Sequence, residues 1–341
     1  MPSCLLAFLR SLRRRQDGEH AAMIDESEIL RAGNAIRAGR LVGMPTETVY
    51  GLAGNALDVQ AVLAIFSAKG RPSFDPLIVH VAEVTQAWNV AVPSRRAERL
   101  ARDCWPGPLT LVLPRRSCIH DVITSGLDTV AVRCPAHPVA RALIRAAGVP
   151  LAAPSANRFG GLSPTTAGHV REQLGDAVAM ILDGGPCKVG IESTVLLLDP
   201  TPLILRPGGL SRERLEELLG EPVAVADRAS RASHLPAQAP GMLASHYAPR
   251  TPLSLKSPGS PWPSGRALAL MSFQGESLPG GVMAVEVLSR SGNLAEAAAN
   301  LFATLRRLDG VGATAIVAET VPDEGLGLAI NDRLRRAAGL G

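Results

Sequence analysis

Residues 154–165, Pro154-Ser155-Ala156-Asn157-Arg158-Phe159-Gly160-Gly161-Leu162-Ser163-Pro164-Thr165, set hydroxyls, an amide, an arginine and paired glycines directly after the apolar run Val149-Pro150-Leu151-Ala152-Ala153. A loop that only reverses the chain needs one or two turn residues, and this one carries much more hydrogen-bonding chemistry. Glycine lets backbone N–H groups approach a ligand closely, and hydroxyls add donors. A helix starting near Thr165 would turn its N-terminus toward an anion. Taken alone, the string also reads as a Ser/Pro/Gly turn, but other strings of the same character accompany it.

Thr46 and Thr48 flank Glu47 at a predicted strand end, followed by Tyr50 and Gly51. Alternation along a strand would put the two threonines on one side and Glu47 on the other. Lys69 and Arg71 stand two apart before Pro72. They either complement a helix dipole or clamp a phosphate, arginine by bidentate geometry and lysine as a point charge. Asp75 and His80 follow near the same edge, His80 within an apolar strand where a satisfied core histidine is the ordinary outcome. In Asp128-Thr129-Val130-Ala131-Val132-Arg133 an arginine closes an apolar strand and requires a partner, a protein carboxylate or a ligand one. Gly190-Ile191-Glu192-Ser193-Thr194-Val195 and Leu205-Arg206-Pro207-Gly208-Gly209 repeat the pattern, whereas Lys188 reads as a solvated surface residue.

Such strings point to a common anionic ligand. A charge-assisted hydrogen bond contributes about 1.5–3 kcal/mol, so three or four of them could hold a triphosphate at roughly micromolar affinity. There is no G-x-x-x-x-G-K-[ST], H-E-x-x-H or G-x-S-x-G. The reading is a nucleotide-type pocket with little acid–base equipment.

The elements that must position these residues intermix. Helices are predicted over 26–38 with Asp25 as cap, 58–68, 94–104, 138–147 and 166–174. Strands are predicted over 41–44, 76–81, 109–113, 129–133, 180–182 and 194–198. This is an α/β domain over 23–220 with a mixed, twisted sheet. Residues 221–264, rich in Ala, Arg, Ser and Pro, read as a linker, and 265–341 as a small Rossmann-like α/β domain without a G-x-G-x-x-G. Its predicted parts are strands 266–273, 282–288 and 311–318, a helix capped by Asn293, and a closing helix 331–338. Residues 1–22 read as a tail or a misplaced start, since their arginines follow the apolar stretch rather than precede it as in a signal peptide.

With 341 residues, 46% hydrophobic and 19% charged, the chain is an ordinary globular one with room for two domains. Aromatics at 3% argue against a stacking platform for single-stranded nucleic acid, and a net charge of +4 permits RNA contact without arguing for it. Five cysteines without C-x-x-C or metal spacing fit reduced thiols in a cytoplasmic protein, and no apolar run approaches a membrane span.

Together, Pro45-Thr46-Glu47-Thr48-Val49-Tyr50-Gly51-Leu52, Lys69-Gly70-Arg71-Pro72, Pro154-Ser155-Ala156-Asn157 with Ser163-Pro164-Thr165, and Glu192-Ser193-Thr194 resemble the YrdC-like family. Ser245-His246-Tyr247-Ala248-Pro249 resembles the segment that joins the catalytic domain of its long, two-domain form to a C-terminal domain. The resemblance spans about residues 25–341. It implies an ATP-dependent reaction in which L-threonine and bicarbonate (or CO2) give N-carboxy-threonine. That intermediate attacks the α-phosphate, releasing pyrophosphate and forming threonylcarbamoyl-AMP for partner proteins that modify tRNA.

By the family's pattern, Thr48, His80, Arg133, Ala153 and Ser193 would line the threonine side, with Arg133 on the amino-acid carboxylate. Lys69, Arg71, Asp75, Thr129, Ser155, Asn157, Ser163, Arg206 and Tyr247 would line the ATP side, with the joining segment folded over the nucleotide. No residue is assigned as acid or base; Lys69, Arg71 and Arg133 act by position and charge. Mg2+ would ride on the ATP phosphates with no direct protein ligand. Two alternatives accompany this reading: a carbamoyl-AMP-forming carbamoyltransferase, though the cysteines lack its zinc spacing, and a double-stranded RNA-binding module.

Overall fold

The computed structural model describes residues 25–72, 75–226, 247–263, 265, 267–276 and 278–340. The expected tail at 1–22, and Ser245 and His246 of the joining motif, lie outside the described residues.

Capping side chains fix many of the element boundaries. Asp25 accepts from the Ser27 amide and opens α1 (Glu26–Arg37). Asp58 accepts from the Gln60 and Ala61 amides and opens α2 (Val59–Lys69), which stops at Gly70 in the left-handed conformation. Strands β1 (Val42–Met44) and β2 (Gly51–Asn55) pair antiparallel. Then come β3 (Ile78–His80), the helices α3 (Val84–Ala87) and α4 (Arg95–Cys104), and β4 (Leu109–Pro114). They are followed by α5 (Asp121–Thr124), β5 (Thr129–Arg133), α6 (Pro138–Ala147) and β6 (Leu151–Ala152). Thr166 caps α7 (Ala167–Leu174); β7 (Met180–Ile181), β8 (Thr194–Leu197), β9 (Leu203–Arg206), α8 (Arg212–Leu219) and β10 (Ala224–Val225) complete the first unit.

These strands form one ten-stranded mixed sheet in the order β10-β9-β8-β4-β5-β3-β6-β2-β1-β7. Parallel pairs such as β3 with β5 and β4 with β8 alternate with antiparallel pairs such as β4 with β5, so the expected α/β class with a mixed sheet is the one adopted. The order brings the ends of β3, β5, β6 and β8 together although they are far apart in the chain.

The second unit is the expected Rossmann-like one. Strands β11 (Leu253–Lys256), β12 (Leu268–Ser272), β13 (Ala284–Val287) and β14 (Ala315–Glu319) form an all-parallel sheet ordered β11-β14-β12-β13. Asn293 caps α9 (Leu294–Asp309) as expected, and α10 (Gly327–Ala337) closes the chain, starting earlier than predicted.

The linker expected at 221–264 is corrected at both ends. Ala224–Val225 pairs parallel with Leu203 and Ile204, lengthening the first sheet, and Leu253–Lys256 pairs parallel with β14 in the second. Both are short edge strands, half exposed and flanked by Pro or Ser, whose only strand-forming force is pairing with distant residues.

The two units share one apolar cluster. Val49, Leu162 and Ile191 of the first pack with Tyr247 and with Leu301, Phe302 and Leu305 of the second. Gly190, at φ 75°, sits so close to α9 that a Cβ there would lie 2.4 Å from the Ala299 Cα.

Candidate active site

The Ser-Ala-Asn loop is laced to the chain entering β2. The Tyr50 amide donates to the Pro164 carbonyl, the Leu52 amide to Pro154 and the Ala156 amide to Tyr50, each at 2.8 Å. Lys69, buried at the end of α2, donates its ammonium to the Ser155 and Asn157 carbonyls. Burial, with the neighbouring Arg71 charge, pushes its pKa well below the usual lysine value. Asn157 donates to the Arg158 and Gly161 carbonyls at 2.7 and 2.9 Å. Lys69 and Asn157 therefore fasten the loop from behind.

A cleft opens where this loop meets the ends of β3, β5 and β8. Thr46, Thr48, Val49, Gly51, Arg71, Ile78, His80, Arg133, Ala153, Pro154, Ser155, Glu192, Ser193, Arg206 and Tyr247 line it. At one end, Arg133 donates through Nη2 to Glu47 Oε1 at 2.6 Å, through Nη1 to Thr48 Oγ1 at 2.9 Å and through Nε to the Gly107 carbonyl at 3.3 Å. Those contacts use three of the five guanidinium N–H groups. Burial opposes the ionisation of Glu47, but Arg133 outweighs it and holds the carboxyl below its usual range. The partner that Arg133 requires in its strand is thus Glu47.

Thr46 and Thr48 do converge, but not by strand alternation. The chain bends at 47–49, and Thr46 Oγ1 accepts from the Thr48 and Val49 amides at 3.2 Å while lying 2.8 Å from Thr48 Oγ1. The bend is what turns Glu47 back toward Arg133. His80 Nδ1 lies 3.2 Å from the Ile78 carbonyl. Burial and then the Arg133 charge push its pKa down to about 3, so the ring is neutral at physiological pH.

The other end of the cleft is cationic. Arg71 is held by an ion pair to Asp75 Oδ2 at 2.9 Å and by donation to the Asp75 and Pro76 carbonyls at 3.1 and 3.0 Å. Arg206 donates to the Ser193 carbonyl at 3.0 Å and to Ser193 Oγ at 3.3 Å. Glu192 faces the same space; its carboxylate accepts from the Ser163 hydroxyl and, at 2.7 Å, from Arg333 Nε in α10. Tyr247, buried at the start of the second unit, covers this end against Phe302, with ring centroids 5.6 Å apart.

Of the predicted residues, Thr48, Arg71, His80, Arg133, Ala153, Ser155, Ser193, Arg206 and Tyr247 line the one cleft. Lys69, Asp75, Asn157 and Ser163 lie behind that lining and hold it, and Thr129, at the start of β5, is not part of it. Glu47 and Glu192 were missed although both stood inside singled-out strings. The demand of Arg133 for a carboxylate was a usable signal for Glu47, but the bend that satisfies it has none in the local sequence. Among the described residues no group of three or more His, Cys, Asp or Glu could hold a metal ion, and no helix is long and apolar enough to cross a membrane.

Comparison with known proteins gives a consistent picture. The family model described as "Telomere recombination" (Sua5_yciO_yrdC) matches residues 34–208, and that described as "Threonylcarbamoyl-AMP synthase, C-terminal domain" matches 210–339. The threonylcarbamoyl-AMP synthase of Pyrococcus abyssi is 45% identical over 326 residues, covering 93% of this chain and 95% of that one. That of Bacillus subtilis is 42% identical, covering 92% and 94%. The crystal structure of P. abyssi Sua5 complexed with L-threonine superposes with a TM-score of 0.84 at 42% identity, covering 93% of this chain and 95% of that one.

Proposed function

The chain belongs to the Sua5/YciO/YrdC family in its two-domain, threonylcarbamoyl-AMP synthase form. From that premise we propose that it joins L-threonine, bicarbonate (or CO2) and ATP into threonylcarbamoyl-AMP with release of pyrophosphate, and of water where bicarbonate is the carbon source, the first step toward threonylcarbamoyl-adenosine in tRNA. The observation that carries this reading is a single cleft with Arg133, paired to Glu47, at one end and the buried Arg71 and Arg206 at the other.

In this reading Arg133 holds the threonine carboxylate, and Thr48, neutral His80, Ala153 and Ser193 surround its side. His80 offers hydrogen bonding without adding charge. A carbamate oxygen of N-carboxy-threonine then forms the bond to the α-phosphorus as the bond to pyrophosphate breaks. Such a displacement needs alignment and charge neutralisation more than a strong base. Arg71 and Arg206 supply the charge, Ser155 and the loop amides further donors, and Tyr247 excludes water. Lys69, Asp75, Asn157 and Ser163 serve the nucleotide side by holding this lining. Both oxygens of Glu192 are engaged by protein donors. Mg2+ is therefore expected on phosphate oxygens and water, where it would offset phosphate charge. The product passes to threonylcarbamoyl-transfer proteins.

The test is a product mass spectrum from ATP, bicarbonate and L-threonine, repeated with Arg133→Ala. We expect threonylcarbamoyl-AMP from the wild type and a loss of about two or more powers of ten in the variant, since breaking a buried charged pair costs about 3–5 kcal/mol. Pyrophosphate release that needs a carbamoyl donor such as carbamoyl phosphate and proceeds without threonine would instead favour carbamoyl-AMP chemistry.

A further inference from the structure

Arg333 in α10 is fully buried, yet its partners lie on both sides of the boundary between the two units. Nε donates to Glu192 Oε2 at 2.7 Å, Nη2 to the Pro207 carbonyl at 3.0 Å and Nη1 to Asp332 Oδ2 at 2.7 Å. Asp332 also accepts from Arg336 Nε at 2.9 Å. Among the described residues, Asp332 thus accepts from two guanidinium groups of the buried face of α10, and Glu192 of the first unit brings a second carboxylate to Arg333. The Tyr247 ring lies under the Arg333 guanidinium at 5.0 Å.

Glu192 is the only carboxylate that lines the cleft among the described residues, and Arg333 is not part of that lining. The positive charge therefore approaches Glu192 from outside the cleft. A polyphosphate entering beside Arg71 and Arg206 faces a carboxylate already neutralised. With α10 unseated, the same carboxylate would stand uncompensated in a desolvated wall, repel the phosphates and compete with them for Arg206.

Resting on the nucleotide reading above, we propose that Arg333 is a positioning residue that completes the charge of the nucleotide subsite, so that the cleft accepts a polyphosphate only when the second unit is docked. The threonine end, lined by Thr48, His80, Arg133, Ala153 and Ser193, belongs to the first unit and takes no contact from Arg333.

The test is calorimetric titration of the full chain with ATP and, separately, with L-threonine. It compares wild type, Arg333→Met, Arg333→Lys and the double variant Arg333→Met/Glu192→Gln. Arg333→Met is expected to weaken ATP binding about tenfold or more while threonine binding stays within about twofold, because a buried unpaired charge acts locally. Arg333→Lys keeps the charge and should retain most of the ATP affinity. Adding Glu192→Gln to Arg333→Met should bring ATP binding back to within about threefold of wild type, a rescue that lost packing would not give.

Unchanged ATP binding in Arg333→Met, or a double variant no tighter than the single one, overturns the proposal. If Arg333→Met does not fold, the double variant, which removes both charges together, decides: a folded double variant that has lost ATP binding overturns it equally. A wild type that takes threonine but no ATP brings down the nucleotide reading itself, and this inference with it.

Discussion

Glu47 holds Arg133 through a 2.6 Å ion pair and also accepts from the Ala136 amide at 3.1 Å, so its removal strands a buried guanidinium. Glu47→Ala is expected to lower unfolding free energy by about 3–5 kcal/mol in urea denaturation. A loss below about 1 kcal/mol would mean that water already satisfies Arg133. His80 makes a second prediction, with a definite sign. Its pKa is about 3 in the fold against an ordinary 6.5, so between those values the unfolded chain binds more protons. Stability must therefore fall as pH drops from 6.5 toward 3. His169, pushed down to about 4 chiefly by burial, adds to the decline over 4–6.5. Denaturation at pH 7 and pH 4.5 should show a shallower decline in His80→Gln than in wild type; equal slopes would mean that His80 already titrates normally. At this scale the sequence was informative about which residues matter and less so about their partners. Arg133 announced a need for a carboxylate, but strand alternation pointed Glu47 the wrong way, and only the Thr46-centred bend corrects it.

Helix starts were legible where a side chain caps them, because a cap is a contact between near neighbours: Asp25 and Asn293 cap the helices that follow, whereas α10, whose start has no side-chain cap, begins at Gly327 rather than at 331. Strand β11 was not, because nothing between Leu253 and Lys256 distinguishes it from coil until β14 lies beside it. The gathering of distant strings into one cleft belongs to the strand order, which no local pattern encodes. Gly190 shows what an element boundary can demand. Both Gly190 and Gly220 have positive φ, but a Cβ at Gly220 meets nothing within 4 Å, whereas at Gly190 it meets the backbone of α9 at 2.4 Å. Gly220→Ala is expected to cost about 1–2 kcal/mol from backbone conformation alone. Gly190→Ala should cost clearly more and loosen the seating of α9. Equal melting temperatures for the two variants would refute the close approach.

At the scale of the molecule, Val49, Leu162 and Ile191 share one apolar cluster with Leu301, Phe302 and Leu305, so the two sheets are expected to unfold as one unit rather than as two tethered ones. Scanning calorimetry of the full chain should give a single endotherm whose van't Hoff and calorimetric enthalpies agree. Two resolved endotherms would show that the units melt independently. The same greasy seam sets a rule for anyone shortening the protein. A fragment stopping at Ala226 would leave those three side chains facing water, inviting clumping before any question of catalysis arose. Repainting that face with polar groups is the step on which a stand-alone catalytic half depends.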